Sequence, residues 1–184
     1  KLYNFLHAPV QSGSDEVLAD MRRQHSVSEY VDVVETFDEH LDYWTLSTDF
    51  IVGFPTEEPA DHEQSLALLR ETRPEKINVT RFSKRPDTDA AEMKGLGGQT
   101  KKDRSKEMSE LKMDVVGAAY ESMVGQTSEV LLVEDGTGES LVGYDSAYRQ
   151  VAVPGAATDG VALGDIVDVE ITGHNTVYAL GELV

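Results

Sequence analysis

Between residues 2 and 82 the chain alternates stretches of strand period with stretches of helix period, and no other feature restricts its fold as much. Residues 2–10, with Leu2, Tyr3, Phe5, Leu6 and Val10, read as a buried strand ending at the turn Gln11-Ser12-Gly13-Ser14. Ser12 and Asp15 have capping-box spacing and predict a short helix with Val17, Leu18 and Met21 on its inner side. Ser26 and Glu29 repeat the device ahead of Tyr30, Val33, Val34 and Phe37, an i, i+3, i+4, i+7 stripe. Residues 43–52, rich in aromatic and β-branched types, put Trp44, Leu46, Phe50 and Val52 on one strand face, which Gly53-Phe54-Pro55 breaks. A helix from about Pro59, with Leu66, Ala67 and Leu69 inward and Pro74 as its stop, leads to a third strand over 77–82. Such repetition predicts parallel βα units. Three strands are too few to close a barrel, so further strands are expected upstream of Lys1. Chemistry in (βα) barrels sits at the C-terminal strand ends, here residues 9–14, 49–55 and 78–85.

Residues 83–98 read as a loop containing Pro86 and three glycines. A long helix over 100–124 follows, with Met108, Leu111, Val115, Ala119 and Met123 along one stripe. After Gly125 the period changes to two. Residues 129–134, 140–144, 148–153, 166–172 and 177–184 read as five short strands punctuated by Gly, Asp and Asn. Five strands in about 60 residues suit a small closed barrel of the oligonucleotide-binding kind. The expected fold is an α/β partial (βα) barrel of parallel strands over 1–98, a connecting helix over 99–124, and a small all-β five-stranded barrel over 125–184.

Charge is unevenly distributed along the 184 residues, whose formal net is −18. From Met113 onward there are twelve acids against Arg149 alone, whereas residues 81–106 hold eight bases against four acids. An acid-rich surface opposes non-specific polyanion binding and suits a halophile, where ~1 M salt shortens the Debye length to about 3 Å. The absence of Cys excludes a disulfide framework, a thiolate zinc site and an iron–sulfur cluster held by this segment. The five histidines show no paired ligand spacing, so no metal site is expected in it. No apolar run reaches the length of a membrane span, and a cytoplasmic location without membrane partners is expected.

Three stretches carry a resemblance. Leu6-His7-Ala8-Pro9-Val10-Gln11-Ser12-Gly13-Ser14-Asp15, Thr48-Asp49-Phe50-Ile51-Val52-Gly53-Phe54-Pro55 and Phe82-Ser83-Lys84-Arg85-Pro86 through Ala91 resemble, in this order, motifs of the radical S-adenosylmethionine tRNA methylthiotransferases. The tail is similar to that family's C-terminal TRAM domain, a small RNA-binding barrel. Gly143-Tyr144-Asp145 with Tyr148, Gln150, Val151, Val153 and Pro154 looks like the archaeal and eukaryotic branch that modifies threonylcarbamoyladenosine, and the acidity suggests a haloarchaeal source. The resemblance implies insertion of a methylthio group at C2 of that adenosine, next to the anticodon. It also implies S-adenosylmethionine and two 4Fe–4S clusters ligated by cysteines upstream of this segment, with tRNA as partner and an unidentified electron donor. Without those cysteines the segment alone is expected to be inactive and to hold no catalytic residue. Thr56, Lys84, Asp87 and Asp89 depart from the family pattern, three of them in one loop. A non-catalytic RNA-binding TRAM protein is the alternative of a different class. Within the family, the isopentenyladenosine and ribosomal-protein branches stay open.

Carried onto this chain, the resemblance marks Gln11, Ser12, Gly13, Arg23, Asp49, Gly53 and Phe82 as cofactor-binding candidates. Gln11 and Ser12 offer donors and acceptors for ribose hydroxyls or the methionine moiety, or else ordinary turn chemistry. Arg23 suits a bidentate clamp on the methionine carboxylate, or is a surface arginine. Asp49 could hold a ligand hydroxyl or a neighbouring arginine. Gly53 permits close backbone approach of adenine, or simply makes a turn. Phe82 stacks on a base, or fills core. Arg81, Lys84, Arg85, Lys101, Lys102 and Arg149 are the RNA-binding candidates, with Arg104 and Lys106 continuing the basic start of the long helix.

Overall fold

The computed structural model describes residues 2–156 and 160–184. The elements run β1 (Phe5–His7), α1 (Asp15–Asp20), α2 (Val27–His40), β2 (Thr45–Val52), α3 (Pro59–Thr72), β3 (Lys76–Arg81), α4 (Asp89–Glu92), α5 (Gly98–Glu121), β4 (Thr127–Asp135), β5 (Leu141–Tyr144), β6 (Gln150–Val153), β7 (Ile166–Asn175) and β8 (Tyr178–Leu183). The chain forms two compact units. One gathers the described residues of Lys1–Leu6, Tyr43–Thr45 and Val116–Val184, the other His7–Asp42 and Leu46–Val115.

The three-stranded sheet has the order β1-β2-β3, with β2 and β3 parallel from the Ser47–Lys76 pair to the Val52–Arg81 pair. Beyond β1 the chain stays in register with β2: Gln11 N–H donates to the Asp49 carbonyl at 2.8 Å, and Ile51 N–H to the Gln11 carbonyl at 2.9 Å. Alternation explains β2, whose Leu46, Thr48, Phe50 and Val52 are buried while Asp49 and Ile51 face an open side. The first strand is shorter than the sequence predicts. The strand proper is Phe5–His7, and Leu2 and Tyr3 are exposed rather than buried, Tyr3 lying at the surface with its ring against Tyr148.

Caps set the helices. Ser14, not Ser12, caps α1, its hydroxyl accepting from Val17 N–H at 3.4 Å and donating to Asp61 at 2.6 Å. Asp61 in turn accepts from Glu58 N–H at 2.8 Å at the start of α3, so one carboxylate ties two helix N-termini together. Ser12 instead lies 3.5 Å from the Ser65 hydroxyl, which also accepts from Gly13 N–H at 2.8 Å. The predicted capping box of α2 is present at Ser26 and Glu29. Tyr30 and Val34 are buried on α2, but Val33 is exposed. On α3, Leu66, Leu68 and Leu69 turn inward and Ala67 outward; Arg73 in the left-handed region ends the helix before Pro74. The buried positions of α5 are Arg104, Met108, Val116 and Tyr120, a stripe rotated from the one expected through Val115 and Ala119; Met123, just past the helix end, is also buried.

β4 to β8 close a barrel in the order β4-β5-β6-β8-β7, all pairs antiparallel except β6–β8. Val130, Leu132, Val151, Val153, Val169, Ile171 and Ala179 fill it, each at 0% exposure. A Cβ at Gly143 would lie 2.3 Å from the Leu131 carbonyl oxygen, so β4 and β5 approach there only because that side chain is absent. In the same unit, the Tyr43 hydroxyl donates to Asp145, whose other oxygen accepts from the Ala147 and Arg149 amides, each at 2.9 Å. Burial, with the Asp145 charge beside it, holds the Tyr43 phenol well above its ordinary pKa. The Arg149 guanidinium lies 4.3 Å over the Tyr43 ring and donates to the Trp44 carbonyl at 2.9 Å. Tyr144 and Tyr148 stack at 4.6 Å, with Tyr3 and Phe5 against Tyr148.

Candidate functional site

In the unit that holds the parallel strands, a cavity of about 570 Å³ opens where the chain following β1 and the C-terminal ends of β2 and β3 come together. That volume suits a nucleoside-sized ligand. Its floor carries Gln11, Asp49, Ile51, Asn78 and Thr80, the side chains that alternation turns away from the helices. Residues 20–23, the end of α1 and the turn after it, form one wall and the loop after β3 the other.

Gln11 is the most constrained residue of the floor. It is 7% exposed, sits at φ +75°, and its side-chain amide makes no hydrogen bond among the described residues. A non-glycine residue in the left-handed region costs about 1–3 kcal/mol and marks a conformation that its surroundings impose. The ladder bonds on both sides of Gln11 impose it, aiming a donor and an acceptor into the cavity. Asp49 lies across from it, 3.3 Å from the His7 imidazole. The Asn78 and Thr80 side chains add further polar groups on β3, and Phe82 packs edge-on against Phe54 at 5.1 Å. Four aspartates and four arginines line the cavity, a balanced field suited to a ligand that carries charges of both signs.

Of the cofactor candidates, the structure brings Gln11, Arg23, Asp49 and Phe82 to this cavity. Ser12, Gly13 and Gly53 lie behind its lining. Ser12 and Gly13 face α3, where a Cβ at Gly13 would meet the Gln64 carbonyl and Ser65 Cα at 2.6 Å. Gly53 turns at φ +75° beneath the Lys101 side chain. Of the RNA candidates, Arg81 and Arg85 line the cavity, and Lys84 donates to the Ala91 carbonyl at 2.5 Å from the exposed loop beside it. Lys102 is exposed, Lys101 is half-buried, and Arg149 belongs to the other unit, engaged on Tyr43 and Trp44. Arg104 is not a solvated base: it is 8% exposed and paired with Glu57. Sequence reasoning missed Arg22, which pairs with Asp89 at the cavity rim, and it missed Glu57. The fourfold spacing from Arg104 to Met108 was the available sign that Arg104 faces inward. For Glu57 the sequence carries no such sign.

Residues 1–69 match the Radical SAM superfamily, and residues 121–184 match the TRAM domain. A "Probable threonylcarbamoyladenosine tRNA methylthiotransferase" of Archaeoglobus fulgidus is 38% identical over 183 residues, covering 100% of this chain and 42% of the relative. The "Threonylcarbamoyladenosine tRNA methylthiotransferase" of Danio rerio is 36% identical over 172 residues, 93% of this chain and 30% of the relative. A "tRNA-2-methylthio-N(6)-dimethylallyladenosine synthase" of Sphingopyxis alaskensis is 38% identical over 183 residues, 97% of this chain and 40% of the relative. The chain belongs to the radical SAM methylthiotransferase family and carries its TRAM domain. It spans about two fifths of the length of the relatives it matches over its whole length. Among the described residues no helix is long and apolar enough to cross a membrane.

Proposed function

We propose that the cavity binds S-adenosylmethionine and that the protein containing this chain adds a methylthio group to threonylcarbamoyladenosine in tRNA, a reaction of the cytoplasm. The observation that supports this most is the convergence of Gln11, Asp49 and Asn78 on one cavity of about 570 Å³ at the strand ends. S-adenosylmethionine carries a carboxylate, an ammonium, a sulfonium and ribose hydroxyls, and the mixed lining offers partners for each. When bound, it supplies the methyl group and the radical chemistry of the family. The chain has no Cys, so none of its residues fits an iron–sulfur cluster.

The roles then follow from position. Gln11 and Asn78 orient the ligand by amide hydrogen bonds, Asp49 accepts from a hydroxyl or ammonium, and Arg23 holds the carboxylate in a two-point pair. Phe54 and Phe82 give the nucleoside an apolar edge. Residues 1–98 thus serve the cofactor, and the barrel of 125–184 serves tRNA, with Arg81, Lys84, Arg85 and Lys102 offering phosphate contacts. Nucleoside mass spectrometry of tRNA from a deletion strain tests the reading: 2-methylthio-N6-threonylcarbamoyladenosine should disappear. Loss of the methylthiolated dimethylallyladenosine instead would assign the other branch named among the relatives.

A further inference from the structure

The first turns of α5 carry an arrangement that a connecting helix does not need. Arg104, 8% exposed, donates to the Glu57 carbonyl at 2.8 Å and to the Glu57 carboxylate, which is 3% exposed. The second carboxylate oxygen of Glu57 accepts from Gly53 N–H at 2.9 Å. A buried ion pair of this kind is retained only when its remaining valences are met, and here they fix the turn that leaves β2. One turn earlier on α5, the Lys101 stem lies on Gly53 so closely that a Cβ there would stand 2.4 Å from Lys101 Cγ. Its ammonium reaches the Phe82 carbonyl at 3.4 Å, at the end of β3. Both of the strand ends so held present a ring to the cavity, Phe54 from one and Phe82 from the other.

We propose that Lys101 and Arg104 are positioning residues for S-adenosylmethionine: α5 sets the distance between the ends of β2 and β3, Arg104 through Glu57, and Lys101 through Gly53 and the Phe82 carbonyl. This rests on the reading that the cavity holds S-adenosylmethionine. It assigns Lys101 to the cavity rather than to RNA, and makes Glu57 the joint through which the helix acts.

The test is equilibrium binding of S-adenosylmethionine to the full-length protein, with tRNA affinity and thermal melts measured beside it. Lys101→Ala and Arg104→Lys should each weaken S-adenosylmethionine binding about tenfold, since small displacements of a positioning wall carry large penalties. Neither should change tRNA affinity. Lys101→Met, which keeps the stem over Gly53, should recover most of the loss, and Lys106→Ala, on an exposed turn of the same helix, should bind as the parent. If the parent binds no S-adenosylmethionine, the reading of the cavity fails, and the positioning role with it. If the parent binds and a folded Lys101→Ala binds equally well, the positioning role alone is wrong. A parallel loss of tRNA affinity in Lys101→Ala would also overturn it. Should Arg104→Lys not fold, Lys101→Ala decides the matter by itself.

Discussion

Gln11 concentrates in one residue the conflict between stability and use. Its backbone holds a left-handed conformation at φ +75°, which glycine would adopt without strain. Gln11→Gly removes about 1 kcal/mol of strain and gives back a similar amount in unfolded-chain entropy. The melting temperature should therefore barely move, while loss of the amide should weaken S-adenosylmethionine binding fivefold to tenfold, about one hydrogen bond's worth. An unchanged affinity would remove Gln11 from the site. His174 gives a second prediction. Its Nε2 bonds the Glu121 carboxylate at 2.6 Å, and that bond raises the imidazole pKa above its usual range. A histidine whose folded pKa exceeds the unfolded value of about 6.5 adds stability that is complete below that value and is lost as the pH rises through the folded one. Glu121→Gln should thus lower the melting point at about pH 6 and leave it nearly unchanged at about pH 9, where the imidazole is neutral in both states. Equal losses at both pH values would show that the pair is not what stabilises. Neither residue's role was legible as such. Gln11 is marked in the sequence by its place at a strand end, but its backbone angle depends on its bonds to Asp49 and Ile51 of β2, far along the chain.

At the scale of elements, Gly13 shows how closely α1 and α3 are tied. The backbone of the turn before α1 lies against that of α3, with no room for a side chain. Gly13→Ala should cost about 1–3 kcal/mol by overpacking, read as a lower midpoint in a denaturant melt of the full-length protein. A wild-type midpoint would mean that α3 yields easily. The strands and helices themselves were largely readable, because alternation in β2 and a true capping box at Ser26 are local signals. The five barrel strands were readable for the same reason. What failed was facing. The apolar residues of α5 define one stripe, whereas Arg104 occupies the buried line, and a charged side chain enters a hydrophobic pattern only when its partner is known. That partner, Glu57, lies 47 residues earlier. The spacing from Ser12 to Asp15 fits a cap, yet the Ser12 hydroxyl is drawn to Ser65 and Ser14, two residues on, takes the role.

For the whole molecule, on the reading that it binds tRNA, charge limits where a phosphate can settle. Residues from Met113 onward hold twelve acids and one base, and that base, Arg149, is committed to Tyr43 and Trp44. Charge reversal at Lys84, Arg85 and Lys102 together should therefore weaken tRNA binding by the full-length protein more than Arg149→Ala does. It should also flatten the salt dependence, because fewer counterions are released. Parent-like binding by the reversed variant would leave recognition to the shape of the barrel. The aromatic and acidic cluster around Asp145 has a different consequence. The unit that contains the TRAM barrel is assembled from three separate stretches of chain, and Tyr43–Thr45 supplies both the hydroxyl that meets Asp145 and the carbonyl that meets Arg149. The barrel is therefore a poor cassette. Excised at Gly125, or transplanted onto another protein, it would leave behind the residues that complete it, so a domain swap should carry matching replacements at positions 2–6 and 43–45 if the graft is to be as stable as the donor.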